Sequence, residues 1–212
     1  MNWLDLFIVL AYLSLAAELL CIPVPSVASS YQLTFGPADE AGAVHHPFTA
    51  PATPLRRGLR FFAPAALNVA VFVLPLSSAI FSMPLSIWER WNVAPPLLLT
   101  AIGCAAVIAG RGLTIRSALE LRRLQSHALG SGGLDQPLQT DGLFQRSRNP
   151  GLCGMYLFAL GLLMLSPGVL FAAGLVHYLW HMHHRVLIEE GVLHEQFAER
   201  YAAYCAKTPR YL

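Results

Sequence analysis

Two polar clusters near the C-terminal end of this 212-residue chain flank a long apolar stretch, and that arrangement limits the folds open to it. The first cluster runs from Gly142 through Leu143, Phe144, Gln145, Arg146, Ser147, Arg148 and Asn149 to Pro150, and closes at Gly154. The second begins at Arg185, carries Glu189 and Glu190, and continues into Phe197, Tyr201 and Tyr204. Between them lie roughly thirty mostly apolar residues, enough for two membrane crossings joined by a tight turn at Ser166-Pro167-Gly168. A hairpin of that kind returns the chain to the face it left. The two clusters then meet at one water–lipid boundary, where charge and turn-forming residues read as a site rather than a connector.

The rest of the chain agrees with lipid as part of its solvent. It is 55% hydrophobic and 12% charged, with mean hydropathy +0.51, whereas a soluble domain carries about 25% charged residues. The net charge of +2 is too small to argue for a nucleic-acid partner. Cys21, Cys104, Cys153 and Cys205 are scattered, with no CxxC pair, which suits reduced thiols and not a disulfide framework.

The expected fold is therefore all-α: a polytopic membrane protein with about five transmembrane helices and a C-terminal cytoplasmic amphipathic helix. The apolar segments fall at approximately 3–22, 64–87, 93–112, 152–166 and 168–187. The fourth is short for a hydrocarbon core of about 30 Å. Pro75 and Pro84 predict a kinked second helix. The first segment has no basic n-region, carries Asp5 and leads into Pro23-Val24-Pro25, so it reads as a retained helix, not a cleaved signal. With the N-terminus outside, thirteen of the fourteen Lys and Arg lie inside and only Arg90 outside. This bias predicts that both polar clusters face the cytoplasm, and the expected location is a multi-pass one in a bacterial inner membrane.

Residues 23–63, rich in Pro, Ser, Thr and Ala, read as a cap over the cytoplasmic surface, an interfacial segment or a mobile loop. The stretch 111–128 keeps helical spacing and extends the third helix past the membrane, before Gly130-Ser131-Gly132-Gly133 forms a hinge. The chain divides into N-terminal helices and loops (1–137) and a C-terminal core (138–212), within one structural domain.

The order Gly142-Leu143-Phe144, Arg148-Asn149-Pro150, Gly154, apolar hairpin, Arg185, Glu189-Glu190, then Leu193, Phe197, Tyr201 and Tyr204 resembles the isoprenylcysteine carboxyl methyltransferase family and its phospholipid methyltransferase relatives. The resemblance covers about residues 138–212. It implies S-adenosyl-L-methionine as methyl donor, bound without a Rossmann fold between helix ends and the hairpin. Carried onto this chain, it gives Phe144, Arg148, Asn149, Pro150, Gly151, Leu152, Glu189 and Glu190 as cofactor-binding candidates, and Arg185 as the residue facing the acceptor. Pro150, Gly151 and Gly154 suit a sharp turn that approaches a ligand closely. Free amides opening the fourth helix suit a carboxylate, and Glu189 suits an ammonium. Four departures stand out: Asn149 replaces the family's His, Phe144 and Leu152 replace tyrosines, and Ala198 replaces the Gly after Phe197. Asn149 retains hydrogen-bonding capacity but cannot move a proton near neutral pH.

His177, His181, Arg185 and Glu189 recur every four residues, along one slowly drifting stripe. Ionisable groups inside a span are costly and face a cavity or each other, so the stripe reads as a chamber lining, with His181 as a base or a substrate contact. The alternative places these histidines at the headgroup level beside Tyr178 and Trp180. A metal site on His177, His181 and His184 lacks a completing carboxylate or thiolate, and no metal is expected. Glu18 lies within the first span and is read either as functional or as reaching water. The resulting expectation is an enzyme methylating a small or lipophilic acceptor, whether carboxylate, thiol or lipid head group. Two other classes remain: a non-catalytic scaffold that keeps the fold, and a small transporter. Against the transporter stand the odd number of spans and polar residues gathered at one face.

Overall fold

The computed structural model describes residues 3–21, 73–81, 86–91, 95–130 and 138–212, apart from the side chains of residues 19, 20, 89, 90, 125–130, 181 and 185. The 23–63 segment, most of the second expected span including Pro84, and the 131–133 part of the expected hinge lie outside these residues. All regular structure described is helical. The helices are α1 (Trp3–Cys21), α2 (73–81), α3 (Ile87–Arg90), α4 (Leu97–Gly130), α5 (Pro150–Leu165) and α6 (Val169–Lys207), with a 3-10 turn at Gly142–Gln145.

Small residues decide how α4 and α5 pack. Gly103 and Gly110 on α4 meet Gly161 and Gly154 on α5, each pair seven residues apart, so the helices run antiparallel at close range. A methyl group on Gly110 would lie 2.5 Å from the Gly154 carbonyl oxygen and the Phe158 nitrogen, and one on Gly154 would lie 2.7 Å from the Gly110 carbonyl oxygen. Backbones this close gain dispersion energy along the seam without relying on hydrophobic exclusion, which is weak between helices in lipid. Gly154 is thus a packing residue inside α5, not part of a ligand-approaching turn. Around the seam, Tyr12 of α1, Val107 of α4, Phe158 and Leu162 of α5, and Phe171 and Leu175 of α6 form the core. The Tyr12 and Phe158 rings meet edge to face at 5.9 Å.

An ion pair ties α1 to α4. Arg111 pairs with Glu18, and its Nε donates to Ser14 Oγ at 2.9 Å, its Nη2 to the Ser14 carbonyl at 2.9 Å and its Nη1 to Thr114 Oγ1 at 2.9 Å. The guanidinium also sits 5.8 Å from the Phe158 ring centre. Glu18 is therefore a structural partner with its charge met. Outside the core the helices display large apolar side chains, including Leu13, Ile108, Leu97 and Val169, at 58%, 62%, 84% and 78% exposure. Such an apolar exterior suits lipid contact.

By length and composition one helical segment among the described residues, Leu97–Leu124, can cross a membrane. With 16 residues, α5 spans roughly 24 Å, short of a core of about 30 Å. The regular structure of the described residues is thus all-helical, with one such segment, and five crossings remain an expectation from sequence. As expected, α4 continues as one helix into its arginine-rich end, and the α5–α6 turn falls at Ser166–Gly168, where the Ile87 amide donates to the Pro167 carbonyl at 2.7 Å.

The C-terminal helix is joined to the last apolar helix across a kink. Ala198 has φ 43° and ψ −116° within α6, the positive-φ non-Gly residue among the described positions. An alanine methyl is strained there, whereas glycine is not. This gives a physical reason for a glycine after Phe197 in the pattern that the chain resembles. Ala198→Gly is expected to stabilise the protein by about 1 kcal/mol, read as a rise in the thermal unfolding midpoint in detergent. Gly110→Leu is expected to cost about 1–3 kcal/mol through overpacking, read as a lower midpoint in the same assay.

Candidate active site

The site is assembled where α4, the 142–149 segment and the second half of α6 meet. Its first fixed point is Glu120 on α4, whose carboxylate accepts the Leu143 amide at 2.9 Å and pairs with Arg116 at 3.3 Å. Gly142 precedes this contact with φ 65°, and a methyl group there would sit 2.6 Å from Glu120 Oε2. Glycine is needed both for the turn and for the close approach of the carboxylate. The 3-10 turn that follows buries Phe144, and Tyr204 on α6 donates its hydroxyl proton to the Phe144 carbonyl at 2.6 Å.

The second fixed point is Glu190. Arg210 donates to it from Nε at 3.1 and 3.0 Å and from Nη2 at 2.7 Å, while Arg148 Nη1 lies 3.2 Å from Oε1. Arg148 Nη1 also donates to Cys205 Sγ at 2.7 Å, and its backbone amide to the Pro209 carbonyl at 2.9 Å. Fully buried Ser147 accepts the Asn149 amide at 3.1 Å and donates to the Arg210 carbonyl at 3.2 Å. Asn149 Nδ2 donates to that same carbonyl at 3.3 Å. The segment after α6 is thus laced to the turn before α5. Arg210's hydrogen bond to Glu190 raises its pKa above the usual guanidinium value. Burial, then Glu190, raises that of Tyr201.

These elements enclose a cavity of about 210 Å³. Phe144, Arg148 and Asn149 line it from one side; Glu189, Glu190, Leu193, Gln196, Phe197, Tyr201 and Tyr204 from α6; Leu121 and Leu124 from α4; and Leu138 and Gln139. It is smaller than the ~300–1,000 Å³ of pockets for drug-sized ligands, so a nucleoside-sized ligand requires the walls to part.

Of the sequence-predicted cofactor residues, Phe144, Arg148, Asn149, Glu189 and Glu190 come together around this cavity. Pro150, Gly151 and Leu152 do not line it: Pro150 is fully buried at the first position of α5, Gly151 faces Ser117 of α4, and Leu152 is half-buried. Asn149 is engaged with the Arg210 backbone. The side chains of His181 and Arg185 lie outside the described part of the structure. Elsewhere on α6, the His184 ring is 4.4 Å from that of Trp180, and His183 Nδ1 is 2.8 Å from the Tyr211 hydroxyl. Among the described residues no group of three His, Cys, Asp or Glu is placed to hold a metal ion.

Sequence reasoning missed Glu120, Ser147 and Arg210. Glu120 lies in an arginine-rich helix end and looks like one more solvated charge. Ser147 stood inside the first cluster without an assigned partner. Arg210 was informative only as a positive charge, because its partner is twenty residues away across the kink at Ala198.

Residues 98–200 match the family described as phospholipid methyltransferase. The match supports the resemblance read from the polar clusters and extends it upstream through α4. By its description that family is one of methyltransferases. Neither the curated proteins nor the solved structures compared with the chain gave a match.

Burial pushes the Tyr204 phenol up to about 12, from an ordinary value near 10. A folded-state value raised this way favours the protonated form, so its contribution to stability is complete below pH ~10 and is lost as pH rises toward 12. Tyr204→Phe, which removes the donor to Phe144, is expected to lower the unfolding midpoint near pH 8 by the equivalent of about 1 kcal/mol. That deficit relative to wild type should shrink between pH 10 and 12 in a detergent melt series.

Proposed function

We propose that the protein is an integral membrane methyltransferase that uses S-adenosyl-L-methionine and acts on a small or lipophilic acceptor at the cytoplasmic membrane face. The observation that carries this reading is the convergence of Arg148 and Asn149 with Glu189 and Glu190 on one cavity that also has apolar walls.

The chemistry of this donor set fits the cofactor. A methionine moiety presents a carboxylate and an ammonium, and an adenosine moiety presents a flat apolar face. Arg148 supplies a cation on the cavity wall, which suits a ligand carboxylate. Glu189 supplies a carboxylate for an ammonium. Phe144, Leu121, Leu124 and Phe197 supply apolar surface. When bound, the sulfonium donor supplies an electrophilic methyl group for a single in-line displacement.

The chain's own residues then have three tasks. Glu189 and Arg148 orient opposite ends of the amino-acid part, which fixes direction at little cost in further ordering. The apolar side chains exclude water, which strengthens those charge contacts. Arg185, four residues before Glu189, is proposed to anchor an anionic acceptor, and His181, four residues earlier, to take a proton from an acceptor that carries one. Carboxylate or thiolate acceptors need no such base. Lateral entry from lipid suits a lipophilic acceptor, while the charged donor arrives from water.

Calorimetric titration of the purified full chain with S-adenosyl-L-methionine is expected to show saturable binding, with Glu189→Gln weakening it by about tenfold, the scale of one charge-assisted hydrogen bond. Membranes given isotopically labelled donor are expected to yield a labelled extractable molecule by mass spectrometry. Absence of donor binding by the wild type contradicts the proposal.

A further inference from the structure

The residues after α6 lie beyond the matched segment, which ends at residue 200, yet they hold the polar wall of the cavity. We propose that Arg210 is a positioning residue for the donor site, acting through Glu190 on Arg148 without touching the ligand. The inference rests on the functional reading above and adds a residue to it.

Three observations carry it. First, no residue beyond Tyr204 lines the cavity, so the tail stands behind the polar wall and does not fill the space where a ligand would sit. That excludes reading it as a plug. Second, both Glu190 oxygens accept from Arg210, at 2.7–3.1 Å, while Arg148 Nη1 stands farther off, 3.2 Å from Oε1. With Arg210 present, Glu190 is met without drawing Arg148 into a two-pronged pair, and Arg148 Nε is left buried without a partner among the described residues. Removing Arg210 leaves a largely buried carboxylate, 12% exposed, beside a single guanidinium. The two groups then collapse onto each other, because a fork-to-fork pair is the stronger arrangement. Arg148 is thereby withdrawn from a ligand carboxylate. Third, the Arg210 carbonyl accepts from Ser147 and Asn149, and the Pro209 carbonyl from the Arg148 amide. The backbone of the tail thus sets where Arg148 starts, while the side chain sets where its guanidinium ends.

Only part of Arg210 is buried, its side chain being 33% exposed, so a small cation can reach its place. The test uses the full chain in detergent and measures the calorimetric Kd for S-adenosyl-L-methionine. Arg210→Ala is expected to bind about tenfold more weakly, the scale of one charge-assisted hydrogen bond, and millimolar methylguanidinium is expected to recover most of that loss. Arg210→Lys, which keeps the charge without the fork, is expected to fall between Arg210→Ala and wild type, and it carries the test alone if the alanine variant does not fold. Recovery by methylguanidinium separates positioning from general loss of structure, which an added cation does not repair. An alanine variant that binds like wild type overturns the inference alone, as does weak binding that methylguanidinium does not improve. A lysine variant that matches wild type also overturns it. A wild-type chain that takes no donor overturns the functional reading and this inference together.

Discussion

One carboxylate joins three distant parts of the chain. Glu190, on the second half of α6, receives Arg148 from the turn before α5 and Arg210 from the segment after α6. A buried carboxylate is costly to leave without a cation, and here two guanidinium groups from distant segments meet it. The arrangement therefore holds only if all three segments arrive together. It links the fold to the site: whatever brings Arg148 and Arg210 to Glu190 also shapes the cavity beside them.

What brings them together is helix packing far from any charge. The glycine pairs between α4 and α5 place the start of α5 beside the polar half of α4, so Gly151 lies on Ser117 and Glu120 receives the Leu143 amide. The α5–α6 hairpin then returns Glu189 and Glu190 to the same end. The Arg111–Glu18 pair adds α1 to this frame. Apolar close packing thus positions a polar site at one end of the bundle, the arrangement expected of chemistry on a donor from water and an acceptor from lipid.

Much of this was legible in the sequence, and the parts that were not have a common cause. The hairpin, the continuation of α4 into its arginine-rich end and the convergence of Arg148 and Asn149 with Glu189 and Glu190 follow from hydropathy, turn residues and spacing. Gly154 was misread as a ligand-side residue because one sequence shows a glycine but not its partner; only Gly110 across the seam reveals its role. Pro150, Gly151 and Leu152 were grouped with their neighbours, yet Pro150 is buried, Gly151 lies on Ser117 of α4 and Leu152 is outside the lining, while Arg148 and Asn149 line the cavity. Ala198 was noted as a departure from a glycine, and its positive φ supplies the reason. Arg210 depended on a kink and a tail, which have no periodicity to read.

The most direct measurement is an experimental structure of the chain with S-adenosyl-L-homocysteine, the demethylated product of the donor. The account places the ligand in the cavity between α4, the 142–149 turn and α6, with its carboxylate on Arg148, its ammonium on Glu189 and its purine against Phe144 or Phe197. A ligand bound elsewhere, or Arg148 and Glu189 standing too far apart to reach the same molecule, would contradict it.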